Sequence, residues 1–546
     1  MTNELEDGQL IAVILDAAGR ITAELRGRNP KEALADAASR TALRRQAIEL
    51  TMAAGEVSEM MRNWATHIPW DRLAGTEESD LVGFLEFLDK ELPVIRPELE
   101  QMWEPAYTSA PDPDEEYALE KSSYDFYRPV GRNLLDRTEE YYGWIQARRR
   151  TKTWQCSRVL EEAPGSHATI TDDSGRRSVG INFNSQDYLS LNTHPAVREA
   201  ALRAMHEFGP HSAGSAMVLG NTRISNELEA VLADLVQLEH VTLFSTGWAA
   251  GFGSITGLVR QDDHIVIDRF AHACLQQGAR AATRNIVRYD HLSVQAVGDH
   301  LRRIREHDAR NGILVVTDGL FSVDADWPDV AALQELCHAF DATLLVDVAH
   351  DLGAMGPGGT GVLGIQDLVG KVDLVMGAFS KTFASNGGFL AARTPAVKQY
   401  VKMFAGSHMF SNALSAMQTA VVLKAAEIVR SPEGQALRGQ LFDAVHALRD
   451  ELTSQGLTCM GEPSPIVPVL IGNDKLARTV SRILFDRGVH AFMVEFPATP
   501  TGAARFRMQV QATHKPDEAR EAARIVAGAL ADARAHLASA FGYHLT

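Results

Sequence analysis

Apolar and polar positions follow two different rhythms along the chain. Over residues 8–25 (GQLIAVILDAAGRITAEL) and 79–95 (SDLVGFLEFLDKELPVI) apolar residues recur every three to four positions, the spacing of an amphipathic helix. Pro30, Pro69, Pro93 and Pro97 are expected to punctuate this helical region, and TSAPDPDEE (108–116) reads as a Pro-rich acidic linker. From about residue 180 the rhythm changes. Short unbroken apolar runs, VTLF (241–244), HIVID (264–268), ILVVTD (313–318), TLLVDV (343–348) and DLVMGA (373–378), alternate with helical stretches such as NELEAVLADLVQL (226–238) and VAALQELCHAF (330–340). Such runs read as strands buried on both faces, and strand–helix alternation predicts an α/β fold with a mainly parallel sheet between helices. After about residue 430 a smaller alternating region follows, with PIVPVLIG (465–472), GVHAFMV (488–494) and ARFRMQVQA (504–512) before a helix over about 516–541. The expected organisation is an all-α extension (1–110), a linker and arm (111–180), a large α/β domain (181–430) and a small α/β domain (431–546).

Charge separates the front of the chain from the rest. The net charge is −17, and residues 1–120 hold 25 acidic and 11 basic side chains, so most of the excess lies there. An acidic chain repels phosphates, which argues against nucleic acid as a partner. The extension reads as a packing element, a docking module or a carrier domain. A carrier needs a serine for its prosthetic arm, and the nearest candidate, Ser58 in GEVSEM, lacks the usual Asp-Ser-Leu context. The four cysteines (Cys156, Cys274, Cys337, Cys459) form no CxxC pair, which disfavours a zinc ribbon or redox dithiol and suits a reducing cytoplasm. No run approaches the roughly 18 apolar residues of a membrane span, and MTNELEDGQL lacks the pattern of a signal peptide.

In open α/β sheets ligands sit beyond the carboxyl ends of the strands. The residues there are Thr246, Gly247 and Trp248 after the first run, Asp268 and His272 after the second, Asp347 and His350 after the fourth, and Ser380 and Lys381 after the fifth. Each alone has an ordinary structural reading as cap, solvated lysine or packed histidine. Together they suit pyridoxal phosphate. That cofactor needs a lysine for a Schiff base, an acid at its pyridine nitrogen and a small-residue turn at a helix start for its phosphate. No residues have the spacing of a metal site.

The stretch from about 123 to 546 resembles the α-oxoamine synthase family of fold-type-I pyridoxal phosphate enzymes. The resemblance runs through NSQDYLSLNTHP (184–195), GSAMVLGNT (214–222), STGWAAG (245–251), DRFAHACL (268–275), DGLFSVDAD (318–326), VDVAHDLGAMGPGG (346–359), GAFSKTFASNGG (377–388), HMFSNALS (408–415) and PTGAARFRMQVQATH (500–514). Its specific part is the Asp-x-Ala-His to Ser-Lys pair, with Asp347 and Lys381 34 residues apart. By that resemblance Lys381 would carry the cofactor and move the α-proton, and Asp347 would pair with the pyridinium. His350 and Ser322 would lie at the phenolic oxygen, and His272 would stack on the ring. Thr246, Gly247, Trp248 and Ser380 would serve the phosphate, joined by Ser411 and Asn412 (next to Phe410) reaching across a shared homodimer site. Arg505, with Gln186 nearby, would hold the amino-acid carboxylate, and Arg507 would be structural.

The resemblance implies condensation of glycine, alanine or serine with an acyl-CoA or acyl-carrier thioester, with loss of CO2, to an α-amino ketone. Other readings remain open: an aminotransferase or aldolase on the same fold, or a non-catalytic partner subunit with a docking extension. Such a subunit lacks the lysine that this chain keeps. Four positions depart from the family pattern: Ala378 in place of a phosphate-binding Thr, Met217 in place of Arg, Gln186 in place of Asn, and Ser415-Ala416 in place of Pro-Pro.

Overall fold

The five apolar runs become strands of one seven-stranded sheet. Its strands are β1 (His240–Phe244), β2 (His264–Asp268), β3 (Ile286–Tyr289), β4 (Ile313–Asp318), β5 (Thr343–Asp347), β6 (Leu374–Ala378) and β7 (Gly388–Ala392), in the order β1-β7-β6-β5-β4-β2-β3. The sheet is parallel from β6 through β3. β7 runs antiparallel to both β1 and β6. Every residue of β4, β6 and β7 is buried, because helices cover both faces. These helices include α4 (Gly247–Leu258) and α5 (Ala273–Ala282), which pack on one another.

This is a computed structural model, and it describes residues 2–25, 28–57, 62, 68–75, 80–103 and 113–543. The chain forms two compact units, 1–110 and 111–546. In the first, α1 (Thr2–Leu25), α2 (Ala37–Glu56) and α3 (Leu81–Trp103) share a core of their own that includes Ile14, Leu43, Leu50, Phe84 and Leu88. Pro30 and Pro69 stand at helix starts, as expected. Pro93 and Pro97, however, lie inside α3. The carbonyl that Pro93 leaves unbonded belongs to Asp89, on the exposed side of the helix, where water replaces the lost bond. Ser58 lies outside the described residues. Part of the expected linker is a helix, Pro113–Glu120, whose first turn carries Asp114, Glu115 and Glu116 at the positive end of the dipole.

In the second unit, a smaller antiparallel sheet contains β8 (Ile466–Gly472), β9 (Phe492–Val494) and β10 (Ala504–Gln509), with β10 central between β8 and β9. Helix α6 (Pro516–Phe541) contributes to the same hydrophobic core, opened by Pro516 and closed by Gly542 in the left-handed conformation. Phe506 and Met508 of β10 are fully buried in the core on one face. Arg505, Arg507 and Gln509 alternate onto the other, as a strand requires. A third sheet joins the arm strands His167–Thr171 and Arg177–Asn182 to the short strand Val489–His490.

Loop 321–326 is tied to the ends of β2 and β10. His291 Nδ1 lies 3.0 Å from Asp268, and its Nε2 lies 3.2 Å from Asp326. Asp324 ion-pairs with Arg505. Burial lowers the His291 pKa, but the hydrogen bonds it donates to Asp268 and Asp326 outweigh it and raise the value to about 9. A histidine raised above its unfolded value of about 6.5 adds stability that is complete below that pH and is lost as pH rises through about 9. Thermal unfolding followed from pH 6 to pH 10 should therefore show a fall in melting temperature that His291→Gln lacks. Parallel curves for the two proteins would contradict this.

Candidate active site

The carboxyl ends of β1, β4, β5 and β6 converge on a cavity of about 230 Å³. Its wall is built from the start of α4 (Thr246, Gly247, Trp248), the start of α5 (His272, Cys274), Asp318 ending β4, Asp347 and His350 at and after β5, and Ser380 and Lys381 after β6. Eight residues expected from sequence to hold the cofactor thus meet in one place.

The wall is electrostatically tuned by burial. Asp347 accepts the Ala349 N–H at 2.9 Å. Burial pushes its pKa up, while the charges of His272 and Lys381 pull it down. Asp318 is pushed up too, by burial and by Asp347, and it accepts the His272 backbone N–H at 3.2 Å. Burial lowers the Lys381 pKa against the attraction of Asp347, favouring a free amine. Among the described residues Lys381 Nζ has no hydrogen-bond partner. Burial holds His350 neutral, and its Nδ1 lies 2.8 Å from the Tyr188 hydroxyl. Trp248 meets His272 edge-on, with ring centroids 6.1 Å apart.

The start of α4 is an anion cradle. Thr246 caps the helix by accepting the Ala249 N–H at 3.0 Å. The Gly247 and Trp248 N–H groups have no acceptor within the helix and stand at its positive end. A side chain on Gly247 would collide with the Ala378 methyl of β6, so only glycine lets the turn pass this close to the sheet. A lysine amine, a buried acid, an imidazole and an anion cradle in one cavity fit pyridoxal phosphate.

The remaining candidates lie elsewhere. Gln186 lines an adjoining cavity of about 480 Å³ that shares Ser380, Lys381 and Asn386 with the first. Ser322 is half-buried in loop 321–326 and does not line the first cavity. Ser411 and Asn412 lie outside both cavities, where Asn412 pairs with Ser215 in an isolated bridge. Arg505 requires a correction. It is ion-paired to Asp324, and its guanidinium donates to the Ala503 carbonyl at 3.0 and 3.1 Å, so it is not available to a carboxylate in the cleft. Arg507, two residues on, is the arginine whose charge depresses the pKa values of Lys381, His272 and His350. Its buried Nε has no partner among the described residues. Arg505 and Arg507 share a strand face, so alternation alone does not choose between them. Tyr188, Asp318 and Cys274 also escaped the sequence reading, although all three lie inside its motifs.

Residues 178–526 match the family described as aminotransferase class I and II. Unit 1–110 lies outside that match. A serine palmitoyltransferase of Sphingobacterium spiritivorum is 35% identical over 343 residues, covering 63% of this chain and 84% of that protein. An 8-amino-7-oxononanoate synthase of Citrifermentans bemidjiense is 33% identical over 386 residues, 70% of this chain and 96% of that protein. Among solved structures, serine palmitoyltransferase of Sphingomonas wittichii superposes with a TM-score of 0.68 at 25% identity, covering 73% of this chain and 99% of that one. A structure of SPT with a PLP internal aldimine superposes with a TM-score of 0.69 at 26% identity, covering 74% and 99%.

Proposed function

Since the chain belongs to the aminotransferase class I and II family and is a pyridoxal phosphate-dependent acyltransferase of the α-oxoamine synthase type, we propose that it joins a small amino acid (glycine, alanine or serine) to the acyl group of a thioester. The products are an α-amino ketone, CO2 and the free thiol. The observation that carries this reading is the meeting of Lys381, Asp347 and His272 around one cavity, with the charge of Arg507 acting on Lys381 and His272.

The bound cofactor supplies an aldehyde for amines and a ring that takes up electrons from the substrate α-carbon. Lys381, kept partly as free amine by burial, anchors it and then takes the substrate α-proton. Asp347 holds a proton at the pyridine nitrogen, and that cation offsets the desolvation that pushes its carboxyl up. His272 would lie against the ring, and the N–H groups of Gly247 and Trp248 would bind the phosphate. Arg507, whose buried Nε has no partner among the described residues and whose guanidinium otherwise makes a long contact of 3.4 Å to Gln509, grips the substrate carboxylate. The adjoining cavity around Gln186 opens onto Lys381 and admits the acyl thioester.

A second copy completes the site in this reading. Phe410 is 86% exposed, and Val218 and Leu219 are 78% and 83% exposed, on the two segments joined by the Ser215–Asn412 bridge. An apolar surface there suits a subunit interface that carries Ser411 and Asn412 to a partner's phosphate. Among the described residues no helix is long and apolar enough to cross a membrane. The four cysteines are unpaired, which supports a cytoplasmic setting.

The test is to supply glycine, alanine or serine with an acyl-CoA series and follow thiol and CO2 release together. One amino acid should drive release of both in equal amounts. Nitrogen transfer to a keto acid without thiol release would overturn the proposal in favour of an aminotransferase.

A further inference from the structure

Cys274 takes no part in the reaction as set out above, yet it is buried in the cavity wall. Its Sγ lies 2.9 Å from His272 Nδ1, and its backbone N–H donates to the same nitrogen at 3.3 Å. A β-carbon at Gly251 of α4 would fall 2.5 Å from the sulfur, so the glycine leaves the space in which the thiol sits. The imidazole is held from other sides by Trp248 and, through its own backbone N–H, by Asp318. Among the described residues Nε2 of His272 has no partner.

We propose that Cys274 is a positioning residue for His272. Its S–H donates to Nδ1 and fixes the ring as the neutral tautomer with its proton on Nε2, the nitrogen left for the cofactor and substrate. The surroundings of the two side chains set the direction of this bond. Burial, with Asp347 and Asp318 nearby, pushes the Cys274 thiol up, so it remains a proton donor. Burial pushes the His272 pKa down, aided by Lys381 and Arg507 and opposed by Asp347, so the imidazole remains an acceptor. A hydrogen bond to the neutral form disfavours protonation at Nδ1. Removing the S–H therefore raises the His272 pKa toward its ordinary value of about 6.5.

This inference rests on the cavity being the pyridoxal phosphate site only where the cofactor serves as the reporter. Holoenzymes of wild type, Cys274→Ser and Cys274→Ala are titrated from pH 5 to pH 9 while cofactor absorbance is followed. Cys274→Ala should gain an inflection within this range that wild type and Cys274→Ser lack, since serine keeps the donor. A curve for Cys274→Ala that superposes on wild type overturns the proposal. So does the same new inflection in both variants, which would mark an effect of side-chain size. The tautomer is also read directly by 15N NMR of histidine-labelled protein, with the His272 signals identified by their loss in His272→Gln. Wild type and Cys274→Ser should show Nδ1 unprotonated and Nε2 protonated, and Cys274→Ala, left with only the long backbone N–H contact of 3.3 Å to Nδ1, a mixture. A mixture in wild type overturns the proposal. Absence of any cofactor band in wild type would strike the functional reading and leave the NMR comparison to decide this one.

Discussion

Lys381→Ala is expected to lower turnover by about 10³-fold or more, because one substitution removes both the covalent anchor and the base for the α-proton. Its folded structure should survive. Among the described residues Lys381 Nζ makes no hydrogen bond, and its amine is held in a buried site that depresses its pKa. Deleting it breaks no structural link and removes a desolvation cost. Steady-state assays with unfolding curves on the same preparations check both halves. Retained turnover would mean that another group performs the proton transfer. Loss of turnover together with loss of cooperative unfolding would mean that the lysine is structural.

Arg507→Ala should raise KM for the amino acid by about 100-fold, the scale of a lost charged hydrogen bond pair to a carboxylate, roughly 3 kcal/mol. Arg507→Lys keeps the charge but not the two-pronged geometry and should recover part of the loss. Arg505→Ala should behave differently. Its guanidinium ties Asp324 to the edge of β10, so its removal leaves a half-buried carboxylate unpaired and should lower the melting temperature with less change in KM. The two arginines are therefore separable by which quantity moves. A KM effect confined to Arg505→Ala would reverse the assignment.

The same pair shows where sequence reading stops. The strands buried on both faces, β1, β2, β4, β5 and β6, stand out as unbroken apolar runs. β3 does not, because Arg288 is exposed near one edge of the sheet. β7 (GFLAA) does not either, because its glycine and alanines dilute the apolar signal although all five residues are buried. Helix α6 is legible over its full length because Pro516 and Gly542 mark both ends. The prolines of α3 mislead, since an exposed turn tolerates the bond that Pro93 removes. In the site, the places of Asp347 and Lys381 just after two apolar runs, together with the family resemblance, were enough to bring them together. Choosing between Arg505 and Arg507 needed Asp324, which comes from a distant loop. The Cys274–His272 contact is local, but the inward turn of the thiol depends on the space left by Gly251 of another helix.

The central claim is that Lys381 is the residue that carries pyridoxal phosphate. The most direct test loads the purified protein with the cofactor, reduces it with borohydride, digests it and locates the retained cofactor mass by mass spectrometry. The account predicts that mass on the peptide containing Lys381 and nowhere else. Label on a different lysine, or on none, would contradict it.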